Sequence, residues 1–204
     1  MEEKIKAILE KEPHNVECLI QLANIYLKKG KITKGFSVLV EANEINPKIV
    51  AKNSLSKVIP FAQKVTNLKK MAEKSNDIKY WNELANGYFS IGILDEAIIN
   101  YKKSLKINPN QSDIHFKLAL AYKKDGRIYS CIDELKKVLK LNPKNLYANY
   151  YIGKILKYNL KNRAKSIEYF QKAKELLIDQ KENFKYKKYT ILLNDIKKEL
   201  TQNR

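Results

Sequence analysis

Apolar and small residues recur along this chain at the spacing of one face of an α-helix. In the stretch 78–91, four of them fall at i, i+3, i+4 and i+7, namely Trp81, Leu84, Ala85 and Tyr88. Gly92 follows, and glycine ends helices because it adopts the left-handed backbone conformation at little cost. A second apolar run starts near Asp95 and stops at Pro109, which cannot donate a backbone hydrogen bond. The pattern therefore predicts two consecutive helices joined by a short turn.

The same pattern occurs twice in succession, at 78–111 and at 112–145, and each copy is 34 residues long. Aligned positions carry the same packing types: Leu84 with Leu118, Ala85 with Ala119, Tyr88 with Tyr122, Gly92 with Gly126, Ala97 with Cys131 and Pro109 with Pro143. A fixed period of this length is typical of arrays of helix pairs, in which each pair buries its apolar face against its neighbours. We therefore predict an all-α fold of paired antiparallel helices.

These two copies resemble the tetratricopeptide repeat (TPR) family, whose Trp, Leu, Gly, Tyr, Ala, Phe, Ala and Pro places are filled in register. The resemblance implies a right-handed superhelical solenoid with a capping helix after the last repeat. It also implies that the first helix of each repeat lines a concave groove, which presents side chains to an extended peptide or to a partner helix. The expected activity is therefore protein binding.

The 34-residue period divides the chain, which we predict to be a single solenoid over residues 1–204. The predicted parts are a half-repeat helix at 1–13, repeats at 16–49, 78–111 and 112–145, a repeat with a one-residue insertion at 146–180, and a capping helix at 182–202. The segment 50–77 is six residues short of a repeat, and we expect a degenerate repeat with a shortened first helix. A hinge between two blocks is the alternative. The half-repeat at the start is either a cap or part of a longer array.

Positive charge is the strongest feature of the composition. The chain holds 40 Lys and Arg against 22 Asp and Glu, for a formal net charge of +18. Residues 117–204 account for 22 of the basic and 9 of the acidic residues, and for 9 of the 13 tyrosines. A basic field attracts anionic partners and speeds their encounter. The alternative is that these lysines only solvate helix faces.

The compartment is indicated by what the chain lacks. The N-terminal stretch 1–13 mixes acidic and basic residues and has no apolar core of a secretory signal. No apolar run approaches the roughly 20 residues that a membrane helix needs. Cys18 and Cys131 do not make a disulfide framework, and Cys131 occupies a small-residue place that predicts a buried thiol. We expect a soluble protein of the reducing cytoplasm that does not associate with membranes.

The sequence offers little for catalysis. Its two histidines are His14, in a predicted turn, and His115, in a predicted packing place. Glycine-rich phosphate loops, cysteine pairs at metal spacing and nucleophile signatures are all missing from the sequence. We therefore expect a protein that is not an enzyme and that needs neither a cofactor nor a metal.

The predicted binding site lies on first helices, at places between the packing positions. Its residues are Asn82, Asn86, Phe116, Lys117, Tyr147, Tyr150, Tyr151 and Lys154. Toward the C-terminus these places change from amides to aromatic and basic residues, which favours an acidic peptide or helix segment as the partner. Some members of the family bind chaperone C-termini through a carboxylate clamp of Lys, Asn and Arg side chains on three successive first helices. This chain departs from that pattern, because only Asn86 keeps its place. The oligomeric state stays open.

Nucleic acid is the alternative partner. Lysines interleaved with tyrosines are what a single-strand groove combines, since the charges bind phosphates and the rings stack on bases. The sequence lacks a nucleic-acid motif, and lysine greatly outnumbers arginine, whereas base recognition favours arginine. We therefore rank a nucleic-acid-associated basic module below a protein-interaction scaffold.

Overall fold

The computed structural model describes residues 1–183 and 185–201, and the regular elements in that part of the chain are all helical. Its twelve α-helices are α1 Glu2–Lys11, α2 Val16–Lys28, α3 Ile32–Ile45, α4 Pro47–Ala51, α5 Ile59–Ser75, α6 Ile78–Ser90, α7 Leu94–Ile107, α8 Ser112–Lys124, α9 Ile128–Leu141, α10 Leu146–Tyr158, α11 Arg163–Asp179 and α12 Tyr186–Thr201. Two 3₁₀ helices, Ser54–Val58 and Lys181–Asn183, lie between them. The predicted all-α fold is confirmed.

The chain forms two compact units, Met1–Leu84 and Ala85–Arg204. In both, a first helix is followed by a second after three residues, at 29–31 and at 125–127. Turns this short reverse the chain, so the paired helices pack antiparallel. Gly30 and Gly126 lie in these turns with φ of +71° and +80°, a conformation that glycine adopts without strain.

The first unit has its core between α2, α3 and α5. Leu39, Ala23 and Ala42 are fully buried there. Gly35 on α3 faces Leu27 on α2, and a Cβ at this glycine would lie 2.7 Å from the leucine Cγ. The missing side chain therefore lets α2 and α3 approach closely.

Asparagine caps explain the irregular segment that follows α3. Asn46 accepts hydrogen bonds from the amides of Lys48 and Ile49 and so starts the five-residue helix α4. Asn53 accepts from the amide of Leu55 and starts the 3₁₀ helix Ser54–Val58. Two new starts so close together leave no room for a regular first helix. The second helix of the segment, α5, has 17 residues.

In the second unit, one place on the first helices is small in every repeat: Ala85, Ala119 and Gly153. Both alanines are fully buried. A Cβ at Gly153 would lie 2.9 Å from Cε1 of Phe170 on α11, so this place has no room for even a methyl group. Cys131, predicted to be buried at a small-residue place of α9, is only 1% exposed.

The last helix pair, α10 and α11, is joined by residues 159–162, one residue more than the connection at 125–127. Helix α12 then packs against α11 and α10, with Ile196 fully buried beside Phe170 and Leu177. The predicted capping helix is therefore present. Positions 184 and 202 of its predicted range lie outside the described residues.

Candidate functional site

Helices α8 and α10 bring three of the predicted site residues into ring contact. The ring centroid of Phe116 lies 6.5 Å from that of Tyr147 and 5.8 Å from that of Tyr151. We call Phe116, Tyr147 and Tyr151 the aromatic face; all three side chains are half-buried. Aromatic side chains of this kind supply large contact areas at low cost in rotamer entropy. The aromatic face is therefore able to anchor a partner.

Two lysines lie over rings of the aromatic face. The Nζ atom of Lys123 lies 4.6 Å from the ring centroid of Tyr151, and that of Lys188 lies 5.8 Å from the centroid of Tyr147. Lys117 is half-buried on α8, next to Phe116 in sequence. A cation over a ring is held by the negative ring face while it stays partly hydrated. The surface therefore combines apolar area with positive charge.

Tyr150, the fourth predicted aromatic residue, belongs to the core under α12. It is 8% exposed, and its ring centroid lies 6.1 Å from that of Phe170. Its hydroxyl donates a hydrogen bond to the Asp195 carboxylate of α12 and accepts one from Lys154 Nζ at 3.3 Å. Burial and the bond to Asp195 raise the pKa of Tyr150. This residue connects α10 to α12.

A second acidic residue of α12 continues that connection. Glu199 is 5% exposed, and its carboxylate accepts hydrogen bonds from Lys157 Nζ at 2.9 Å and from the Tyr158 hydroxyl at 2.7 Å. The bond to Glu199 raises the pKa of Tyr158. Lys154 Nζ lies 3.9 Å from carboxylate oxygens of both Asp195 and Glu199. The basic and phenolic side chains of α10 thus hold two carboxylates of the same chain.

Sequence reasoning did not find Asp195 and Glu199. Their spacing of four residues puts them on one side of α12, and this spacing was the available signal. In isolation an acidic pair on a lysine-rich helix indicates only a solvated face. Its role depends on where α12 packs.

The two predicted asparagines lie apart from the aromatic face in sequence and in role. Asn86 is half-buried on α6, and its amide oxygen accepts a hydrogen bond from the Tyr101 hydroxyl at 2.8 Å. Asn82 is half-buried on α6 and belongs to the first unit. Asn86 therefore fixes Tyr101 of α7 inside the second unit.

His115 has an oxygen atom beside each of its ring nitrogens. His115 is buried, with Nδ1 2.5 Å from Glu134 Oε2 and Nε2 2.9 Å from the Pro109 carbonyl oxygen. Both ring nitrogens therefore have hydrogen-bond partners within the chain. Within residues 1–183 and 185–201, no three His, Cys, Asp or Glu side chains are grouped as metal ligands would be. His115 joins α8 to α9 in the core through its contact with Glu134.

In the described part of the chain, none of the helices combines the length and the apolar character required to cross a bilayer.

Comparisons with known proteins agree with the helix-pair architecture. A family model described as TPR repeat matches residues 85–126, and one described as Tetratricopeptide repeat matches 16–49 and 112–145. The TPR repeat-containing protein MJ1428 of Methanocaldococcus jannaschii is 32% identical over 108 residues, which are 52% of this chain and only 19% of that protein.

Two solved structures show the same fold. The crystal structure of MamA is 20% identical, with a TM-score of 0.50 and coverage of 90% of each chain. The crystal structure of YrrB, described as a TPR protein with an unusual peptide-binding site, is 17% identical, with a TM-score of 0.52 over 97% of this chain and 100% of that one. With its 34-residue helix pairs, the chain is similar to tetratricopeptide repeats over residues 16–49 and 85–145.

Proposed function

We propose that this protein is an interaction scaffold that binds an acidic peptide or helix segment on the aromatic face of its second unit. The observation that carries the proposal is the contact of Phe116 with Tyr147 and Tyr151 between two first helices. TPR proteins bind protein or peptide partners, and peptide binding is described for YrrB. The partner's apolar side chains would cover the rings, and its acidic groups would meet the lysines around them.

Charge supports an acidic partner. Lys123 and Lys188 lie over rings of the aromatic face, and Lys117 is the neighbour of Phe116 in the sequence of α8. Lysine and tyrosine side chains of α10 also bind carboxylates within the chain itself, those of Asp195 and Glu199. An acidic segment laid across the aromatic face would meet side chains of the same chemistry.

The predicted residues have different parts in this proposal. Phe116, Lys117, Tyr147 and Tyr151 would contact the partner directly. Tyr150 and Lys154 are engaged with α12 and would act by holding that helix in place beside the site. All of these residues lie in the second unit.

Selection from a random peptide display library against the full chain tests the proposal. Acidic peptides that also carry apolar residues should be enriched. The variant Lys117→Ala with Tyr151→Ala should bind the selected peptides roughly tenfold or more weakly, as expected for interface anchors. Its matched control is Lys136→Ala with Tyr129→Ala, which changes one exposed lysine and one exposed tyrosine on α9. Enrichment of basic or uncharged peptides, or equal losses in both variants, would reject the proposal.

A nucleic-acid-associated module is the second candidate, because lysines accompany tyrosine rings throughout the second unit. Single-stranded binding would displace counterions, so the affinity would fall steeply with salt. A titration of oligonucleotides at several salt concentrations separates the two candidates. A steep fall of affinity with salt, together with weaker oligonucleotide binding by Tyr151→Ala, would favour nucleic acid. A peptide would give a shallow dependence on salt.

We further propose that the protein has no catalytic role and works in a reducing compartment, the cytoplasm. The support is the match to tetratricopeptide-repeat models and the free thiol of Cys131 in the core. Mass spectrometry of the protein alkylated directly in cell extract should find both cysteines reduced.

A further inference from the structure

A cavity of about 450 Å³ lies between the C-terminal ends of α7 and α9. Its lining comes from these two second helices, from the turn after α7 and from α8: Lys102, Leu105, Lys106, Pro109, Asn110, His115, Leu118, Glu134, Lys137, Lys140 and Leu141. A volume of this size is in the range of small-molecule sites in proteins. The cavity is separate from the aromatic face, which lies on α8 and α10.

The cavity combines an apolar wall with a strong excess of positive charge. Leu105, Leu118 and Leu141 supply apolar surface, whereas four of the lining residues are lysines. The single carboxylate in the lining, Glu134, is already bound by His115 and by Lys137 Nζ at 2.8 Å. The remaining lysines therefore have no acidic counterpart within the cavity lining.

Charge pairing elsewhere does not account for these lysines. Lys106 and Lys140 form no ion pair with a carboxylate among the described residues. Lys102 lies over the ring of Tyr122, with Nζ 5.6 Å from its centroid. An aromatic ring does not neutralise the charge of an ammonium group, so the cavity keeps its positive potential.

Helix ends explain only part of the arrangement. Lysines in the last turn of a helix are favoured because the carbonyl end carries partial negative charge, and Lys106 and Lys140 lie in the last turns of α7 and α9. This explanation does not require a cavity between the two helices. Nor does it account for Lys102, which lies one turn earlier on α7 and also lines the cavity.

We propose that this cavity binds a small organic anion, whose apolar body lies on the leucines and whose carboxylate or phosphate is held by the lysines. A charged acceptor gains most where several ammonium donors can reach it together. The buried His115–Glu134 pair would keep the wall rigid, because it ties α8 to α9. This proposal does not depend on the function proposed for the aromatic face.

Octanoate is the first probe, in a titration of the full chain followed by amide resonances in NMR. Resonances of Leu105, Asn110, Leu118 and Leu141 should shift and saturate. Acetate, which has the charge without the apolar body, and octanol, which has the body without the charge, should each bind roughly tenfold or more weakly. Failure of octanoate to saturate these resonances, or equal binding of acetate, would overturn the proposal.

Two charge variants test the role of the lysines. Lys106→Gln with Lys140→Gln should weaken octanoate binding by about tenfold. The matched control, Lys136→Gln with Lys172→Gln, removes the same net charge from exposed positions outside the cavity and should leave the affinity within about twofold. Equal weakening in both variants would show attraction by net charge alone and would overturn the proposal.

The same chemistry has two sources, a free organic acid and the C-terminal residue of another protein. Octanoate represents the first and N-acetyl-leucyl-leucine the second. Tighter binding of octanoate assigns the cavity to a free acid, and tighter binding of the dipeptide assigns it to a chain end. Saturation by neither compound overturns the proposal.

Discussion

The hydroxyl of Tyr150 on α10 donates a hydrogen bond to the carboxylate of Asp195 on α12. The bond joins a residue predicted to lie in the ligand groove to one in the capping helix. Two roles are therefore present on neighbouring residues of α10, because Tyr151 belongs to the aromatic face while Tyr150 holds the cap.

Removal of this hydroxyl should loosen α12. We expect Tyr150→Phe to lower the free energy of unfolding by about 1 kcal/mol, since the bond involves a charged acceptor that is partly exposed to water. Urea unfolding measures the change, and hydrogen exchange should show faster exchange of the α12 amides.

Tyr147→Phe is the matched control for that change. The Tyr147 hydroxyl is buried, and no hydrogen-bond partner for it lies among the described residues. Deleting it removes a polar group that is desolvated without compensation, so stability should stay the same or rise. A larger loss for Tyr147→Phe than for Tyr150→Phe would contradict the assigned contacts.

Gly153 should not tolerate alanine. The added methyl group would lie 2.9 Å from Phe170 Cε1, which is closer than real contacts allow. We expect Gly153→Ala to lower the free energy of unfolding by about 1–3 kcal/mol through overpacking, despite the better helix propensity of alanine.

A double-mutant cycle identifies the cause. Phe170→Leu should cost less in the Gly153→Ala protein than in the original chain, because the smaller side chain makes room for the methyl group. Additive losses would mean that the Phe170 ring is not what excludes a side chain at Gly153.

Stability should fall in alkaline solution, partly because of Cys131. Burial raises the pKa of this thiol from 9.0 to about 11, and burial raises the pKa of Tyr101 from 10.0 to about 12. The folded state favours both neutral forms, so their contribution is fully present below pH 9.0 and is lost as the pH rises through 11 and then 12.

Cys131→Ala should flatten the part of this decline between pH 9.0 and about 11. The substitution suits the site, because fully buried Ala97 fills the matching place one repeat earlier. Urea midpoints measured across this pH range check the expectation. An unchanged alkaline decline in the variant would assign it to Tyr101 and other groups.

The segment 50–77 should open more readily than the regular repeats. None of the residues of the 3₁₀ helix Ser54–Val58 is fully buried, whereas α8 buries six of its residues. Regions with few buried contacts open locally at low free energy. Hydrogen exchange should therefore be faster for 54–58 than for Ser112–Lys124, and equal protection would contradict the expectation.

The 34-residue period predicted most of the fold. Small residues at a fixed place, such as Ala85 and Ala119, are required because two helices approach closely there. The same requirement recurs in each repeat, so it produces a pattern that can be recognised in the sequence. The segment after α3 was expected to be irregular because it is six residues shorter than a repeat. Its conformation depends on the side chains of Asn46 and Asn53, which act as caps in this context and as ordinary polar residues elsewhere.

The candidate site could be predicted only in part. Repeat places identify which residues of α8 and α10 avoid the core between helix pairs. Phe116 and Tyr151, both at such places, lie with ring centroids 5.8 Å apart. The burial of Tyr150 depends on α12, which has no repeat partner to set its register. The binding role of the predicted residues stays a prediction until a partner is tested.

The contacts of Glu199 limit how this array can be lengthened. Its carboxylate is held by Lys157 and Tyr158, and the residues at the matching places one repeat earlier are Lys123 and Lys124. A duplicated copy of 112–145 inserted before α12 would therefore offer two ammonium groups and no phenol to a buried acid. The cap is specific to the repeat it covers, so new repeats are accommodated upstream of Leu146 more readily than next to α12.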